Sequence, residues 1–437
     1  MKKLFIKTYG CQMNEYDSEM LAGLLQKEGY HLTNDQRKAD LILLNTCYVR
    51  EKVKHKVFSE LGQLKKLKNS NPSLILGVGG CLVQRDPSLI LKRAPYVDII
   101  WGTHNLHRIA HLVKLVEKNH SRVIEVKEDG EIPEGISIKR NKKFSAYIPI
   151  VRGCNNFCAY CNVPYVRGRE KSRAPQFILK EIEDLTKQGF IEVTLLGQNV
   201  NSYGRDLPEK VDFADLLSQV QLIEGISRIR FTTSHPKDLS DKLIQRMSEL
   251  DKVCEHLHLP LQAGSNRILK KMGRGYTKQM YENLVFRVRE AIPDISITTD
   301  IIVGFPGEEE KDFEDTLDMV KRIGFDGAFT FAYSPLPGTK AYEFSNQVPD
   351  EVKSKRLRQL IDIQMRITEQ KNQSLVGKKF EVLVEGVSVK DPEELQGRTR
   401  QNKIVVFKGK KDLIGKLINV KVLTAGCWAL RGERIIC

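Results

Sequence analysis

The 437-residue sequence lacks any apolar stretch approaching the ~20 residues of a membrane span. Its N-terminus, "MKKLFIKTYG", carries two lysines, but the apolar run breaks at Lys7, too early for the hydrophobic region of a signal peptide. A soluble, cytoplasmic protein with no membrane contact is expected. Acid is also in short supply, with 55 Asp or Glu against 70 Lys or Arg and a formal charge of +15. That excess points to a polyanionic partner, nucleic acid first, because neutralising phosphates releases counterions. The segment "GVGG" at 77–80 lacks the spacing of a dinucleotide-binding fingerprint, since Cys81 follows it directly. No histidine lies near "GCNNFCAYC" at 153–161, so a closed zinc site with four Cys or His ligands is not completed locally.

Cysteine, by contrast, is present nine times, at 11, 47, 81, 154, 158, 161, 254, 427 and 437. In a reducing compartment these are ligands, catalysts or core fillers rather than disulfides, and the odd total agrees. The chain is long enough for two to four domains, each able to bury a core without covalent staples.

The first hundred residues repeat a short apolar run, a turn and a helix-period segment: "LFIKTYG", "DLILLNT", "LILGVGG" and "VDIIWGT" each lead into such a segment. Alternation of this kind predicts βαβ units and an α/β, doubly wound parallel sheet. Cys11, Cys47 and Cys81 each fall just after the C-terminal end of one of the first three strands, where such sheets bind their ligands. The repetition of one structural position sets them apart from separately buried core cysteines. Residues 1–118 form this domain, and 119–139 read as a linker with one short edge strand.

From Lys143 the strand and helix signals alternate about six more times, which predicts a partial β/α barrel over 140–370. Cys154, Cys158 and Cys161 follow its first strand, at the mouth where barrel active sites lie. A C-x3-C-x2-C loop wraps one cluster and leaves one iron open, by the logic that gives catalytic metals a vacant position. Residues 373–437 change character to short β-rich runs separated by turns, as in a small β-barrel, with 13 Lys or Arg against 7 Asp or Glu. Arg398, Arg400, Lys403 and Phe407 are its candidate RNA contacts, the cations for phosphates and the ring for a base. His256 and His258 alternate on one strand face and, with Gln262, point into the barrel; Ser234, His235 and Asp300 sit at strand ends. "GFPGE", with Gly304 and Glu308, follows a strand, where its backbone can approach a cofactor. Cys254, Cys427 and Cys437 lack partners at useful spacing.

"GCNNFCAYCNVPYVRGREKSR" resembles the signature of radical S-adenosylmethionine (SAM) enzymes, and in particular the methylthiotransferases. The resemblance runs through "YGCQMNEYDSE", "NTCYVREK", "GCLVQ", "LLGQNVNSYG", "HLPLQAGSNRILKKMGRGYT", "TDIIVGFPGE" and "YSPLPGT", and the tail resembles a TRAM domain. "YGCQMN" with "GCNNFC" is most similar to the MiaB-type branch. Asn162 and Leu336 depart from the usual aliphatic residue and arginine. The resemblance implies two 4Fe-4S clusters, one on Cys154, Cys158 and Cys161 that binds and cleaves SAM, with Gly304 and Glu308 near that cofactor, and one on Cys11, Cys47 and Cys81 that presents sulfur. It implies methylthiolation at C2 of N6-isopentenyladenosine in the anticodon stem-loop of tRNA, a monomeric enzyme, and an electron donor such as flavodoxin or ferredoxin. Other branches act on threonylcarbamoyladenosine or a ribosomal protein, and a rival of another class is a non-catalytic RNA-binding protein holding zinc. Anaerobic metal analysis separates the last: about eight irons per chain are expected from two cubanes, and zinc without sulfide would overturn the enzymatic reading.

Overall fold

The computed structural model describes residues 1–48, 51–130 and 133–435. Cys437 lies outside the described residues, as do Val49 and Arg50 of "NTCYVREK". The first sheet contains β1 (Lys2–Thr8), β2 (Tyr30–Leu32), β3 (Leu41–Thr46), β4 (Ile75–Gly80), β5 (Ile99–Trp101) and β6 (Val123–Glu125). They pair in the order β2-β1-β3-β4-β5-β6, all parallel. β3 and β4 are buried throughout, as continuous apolar strands must be when helices cover both sheet faces. Separate cores lie on the two faces, one around Leu44, Leu61 and Ile100, the other around Leu21, Leu43 and Leu112. β6 comes from the segment expected as a linker and closes the sheet's edge. After β4 the expected single helix is two, Cys81–Arg85 and Pro87–Arg93. Pro87 lacks an N–H for the first helix but suits the start of the second, whose cap is the Asp86 carboxylate accepting from the Leu89 N–H.

The central domain begins with β7 (Ser145–Pro149) and β8 (Val151–Arg152), which divide the single strand expected at "FSAYIPIVRG". β8 pairs antiparallel with β9 (Lys171–Ser172), framing the cysteine loop. β10 (Glu192–Leu196) lies between β7 and β11 (Arg228–Phe231), while β13 (Ser296–Val303) lies between β12 (His256–His258) and β14 (Gly327–Ala332). A parallel bridge between Ile229 and Val253 joins the two groups into a six-stranded partial barrel. Along β12 and β13, Leu257, Ile297, Thr299 and Ile301 are buried under the helices. His256, His258, Thr298 and Asp300 alternate onto the other face, the barrel interior.

The helix Asp350–Gln373 leads out to β15 (Lys379–Val387), β16 (Glu394–Thr399), β17 (Ile404–Lys408), β18 (Leu417–Ala425) and β19 (Leu430–Arg434), closed in the order β15-β16-β17-β19-β18. Val382, Leu395, Val405, Val420 and Leu430 fill it. This small barrel seals the N-terminal end of the central one. Arg230 pairs with Glu192 at 2.8 Å and donates to the Thr399 and Arg400 carbonyls, and the fully buried Arg228 reaches Glu381. Among the described residues, no helix is long and apolar enough to cross a membrane.

Glu192 is the carboxylate that answers the buried Arg230 guanidinium. Glu192→Ala is expected to cost about 3 kcal/mol, because it leaves a buried charge with only carbonyl partners. Thermal melting several degrees below the parent is the readout.

Candidate functional site

Strand register gathers the first three cysteines. Thr8 lies opposite Asn45 and Thr46 opposite Gly80, so β1, β3 and β4 end level. Cys47 and Cys81 therefore follow neighbouring strands at equivalent places, about 4.8 Å apart in the sheet direction. Cys11 caps the helix Gln12–Lys27 just beyond Gly10. Gly10 has φ +138°, and a Cβ there would stand 2.8 Å from the Cys47 Cβ, so only glycine lets the two cysteine-bearing segments approach. Gly80, at φ +93°, turns the chain so that Cys81 opens its helix; a side chain there would strike the Thr46 carbonyl oxygen at 2.4 Å. Burial raises the Cys81 thiol, opposed by Arg167 and reinforced by Cys11.

The second triad lies in the loop between β8 and the helix Val163–Arg167. The loop is pinned by backbone bonds from Cys154 to Gly168 and from Ala159 to Met272. Three donors already face sulfur: the Asn156 N–H to Cys154 Sγ at 3.5 Å, the Val163 N–H to Cys161 Sγ at 3.4 Å, and Arg274 Nη1 to Cys158 Sγ at 3.3 Å. Donors aimed at sulfur stabilise thiolates. Burial pushes Cys154 up to about 11 and Cys161 up to about 12, the latter also through its neighbours Cys158 and Cys154. Without a positive guest these thiols stay protonated and inert at neutral pH. Among the described residues no three His, Cys, Asp or Glu side chains can share one metal ion. A loop of three thiols fits a cluster in which each thiol ligates a different iron.

Around the same mouth lie buried polar atoms without hydrogen-bond partners: Asn199 Oδ1, Asn201 Nδ2, Ser234 Oγ, His235 Nε2 and Gln262 Oε1. Each such atom is costly unless a ligand completes it. His235 is held neutral, its pKa brought down to about 2 by burial and by Arg274. Its Nδ1 accepts from the Lys237 N–H, which leaves Nε2–H as a donor with nothing to meet. Thr233 and Gln262 adopt φ of +70° and +68°, strained values that cluster at functional sites. This cradle is the right chemistry for the amino-acid and ribose groups of a nucleoside cofactor.

Other residues singled out in the sequence are placed differently. The Glu308 carboxylate accepts from the Gly304 N–H at 2.8 Å and pairs with Arg356 at 2.8 Å, and Lys353 occupies the space beside Gly304. Both are engaged in holding the turn to the Asp350–Gln373 helix. Phe407, 1% exposed, fills the small barrel and offers no face to a base. Arg400 pairs with Glu255 at 2.6 Å, Lys403 with Asp326 at 3.0 Å and Arg398 with Glu385 at 3.2 Å. The Arg400 and Lys403 pairs fasten the small barrel to the central one, a basic strand facing an acidic rim. His256 and His258 share the Thr298 hydroxyl at 3.0 and 3.1 Å. Cys254 is buried, Cys427 half-buried, and Leu336 buried. Asn162 is 5% exposed with both amide atoms unpartnered, beside Cys161. Sequence reasoning missed Arg167 and Arg274, which no local pattern sets apart from the other arginines.

A three-thiol loop at the mouth of a six-stranded partial parallel barrel defines a radical SAM protein. The Radical SAM superfamily model matches residues 148–320, the Uncharacterized protein family UPF0004 model residues 3–102, and the TRAM domain model residues 373–435. The chain belongs to the family of tRNA-2-methylthio-N(6)-dimethylallyladenosine synthases. It is 52% identical over 434 residues to that enzyme of Carboxydothermus hydrogenoformans, covering 99% of each chain. It is 51% identical to that of Moorella thermoacetica, covering 99% of this chain and 98% of the relative. Among solved structures, the radical SAM methyltransferase TsrM from Kitasatospora setae matches with a TM-score of 0.56 at 13% identity, over 76% of this chain and 73% of that one. The cobalamin-dependent radical SAM enzyme OxsB matches with a TM-score of 0.52 at 15% identity, over 83% and 56%. At such identities these two share the fold alone.

Because the thiols must lose protons to bind iron, cluster loading is expected to improve as pH rises towards their raised pKa values. Each pH unit gives about a tenfold gain in thiolate per thiol. Anaerobic reconstitution at limiting iron and sulfide, followed by absorbance and spin resonance, should give less cluster at pH 7 than at pH 8.5; equal loading would contradict it.

Proposed function

We propose that this chain transfers a methylthio group to C2 of N6-dimethylallyladenosine beside the anticodon of tRNA. The observation that carries this reading is identity of about half the residues along the whole chain to enzymes of that name, in a sequence that carries two thiol triads. In this reading Cys154, Cys158 and Cys161 hold a 4Fe-4S cluster whose open iron takes SAM, and Cys11, Cys47 and Cys81 hold a second. Together the bound groups supply one-electron chemistry that removes an unreactive C–H hydrogen and delivers sulfur.

The protein's own part is placement and exclusion of water. Asn199, Asn201, Ser234, His235 and Gln262 orient SAM through the donors and acceptors they leave open. The target base enters the barrel interior against Phe329, whose ring is 61% exposed yet shares the interior face through its edge contact with His258. Asp300, facing Phe329 across the strand pair and held 3.5 Å from His258, accepts from the N6–H. With Arg400 and Lys403 engaged in docking, tRNA phosphates are met by exposed Lys408, Lys410 and Lys411 and by the partly exposed Arg398. The division at 1–118, 119–139, 140–370 and 373–437 gives one module for sulfur, one for the radical and one for RNA. A flavodoxin- or ferredoxin-type donor reduces a cytoplasmic monomer.

The test is anaerobic reaction of reconstituted protein with SAM, a reductant and isopentenylated tRNA. Formation of 5′-deoxyadenosine with the methylthio mass gain on the modified adenosine is expected, and unchanged nucleosides would refute the assignment. Phe329→Ala, which removes an exposed ring and so leaves the fold intact, should still cleave SAM but modify tRNA at least tenfold more slowly.

A further inference from the structure

Arg167 ends the five-residue helix Val163–Arg167, which begins two residues after Cys161. It is 6% exposed, in the seam between the first sheet and the barrel. Asp17, itself 1% exposed, lies 2.7 Å from Arg167 Nη1 and 3.2 Å from Arg152 Nη1. One carboxylate thus answers two guanidinium ions, and a positive charge is left over. Beyond the Asp17 ion pair and an approach to the Cys81 sulfur, Nη1 and Nη2 of Arg167 have no acceptor. The helix Val163–Arg167 packs on the helix Cys81–Arg85, and Val166 is buried in one core with Cys81 and Leu82, which puts Arg167 beside the N-terminal thiols.

Two buried guanidinium ions that share one carboxylate are costly unless a further anion completes them. Neutral thiols are weak acceptors and do not. Thiolates around a sulfide-bearing cluster would, supplying both charge and acceptors. The donor is also built into the other triad: Cys161 and Arg167 are six residues apart, joined through one short helix, so the segment that carries one set of thiols delivers a cation to the other.

We infer that Arg167 is a positioning residue for the group held by Cys11, Cys47 and Cys81: it donates to sulfur there, raises that group's reduction potential and favours an anionic sulfur ligand on it. This rests on the reading that those three thiols hold a cluster. Hydrogen bonds to sulfur and nearby positive charge both shift iron–sulfur potentials upward.

The experiment uses the full chain with Cys154, Cys158 and Cys161 replaced by alanine, so that only the N-terminal triad can bind iron and sulfide. After anaerobic reconstitution, the midpoint potential is followed by spin resonance, and methanethiol is titrated as the probe ligand. R167Q should lower the potential and need at least tenfold more methanethiol to perturb the spectrum. R167K keeps the charge and should stay close to the parent. Equal potential and equal methanethiol response in R167Q and the parent would overturn the inference, as would equal losses in R167K and R167Q, which mark a strut between domains. Failure of the parent to bind iron would instead overturn the cluster reading itself, and this inference with it.

Discussion

The carboxylate of Asp17 is the point through which the two halves of the active region are held together. It projects from the first helix of the N-terminal domain and meets Arg152 on β8 and Arg167 at the end of the following helix. Those two arginines flank the Cys154–Cys161 loop on either side. Fixing both against one buried acid fixes the loop, and with it the separation of the two thiol triads. A buried ion pair is worth little against an apolar replacement, yet breaking one is severe, about 3–5 kcal/mol. Such a contact specifies an arrangement more than it stabilises it. Thr103 adds to the seam by donating to the Val166 carbonyl at 2.6 Å, and Val166 itself is buried among the N-terminal core residues.

The same economy governs the other end of the barrel. Arg228 and Arg230 rise from one strand into the C-terminal module, and Arg400 and Lys403 return the contact to Glu255 and Asp326. Arg398, Arg400, Lys403 and Arg431 are therefore already paired with carboxylates. What remains for a polyanion is the set of exposed lysines outside the docking face, together with the barrel mouth opposite it.

The chain order of the modules was legible from local pattern alone. Alternation of apolar runs with helix-period segments marks the first sheet and the barrel, and the change to short β runs marks the tail. The placement of six cysteines after strand ends followed from the same reading, since parallel sheets bring successive strand ends to one edge. Boundaries were less readable. The break between β7 and β8 and the division after β4 fall at single prolines, Pro149 and Pro87, whose effect competes with a continuous apolar pattern. Phe407 reads as an exposed ring beside basic residues, yet strand alternation in a closed barrel turns it inward. Glu308 reads as a free acid in a glycine turn and is instead the partner of Arg356, 48 positions away.

By itself, then, the sequence determined which thiols exist, at what spacing, and at which ends of which strands, because those are consequences of periodicity and short-range geometry. Only the tertiary structure decided which cations stand beside them. Arg167 and Arg274 look like any arginines in the chain until packing buries them against Cys81 and Cys158. The reason is physical: a thiol's place follows from the strand that carries it, whereas the cost or benefit of a buried charge depends on everything that surrounds it after folding.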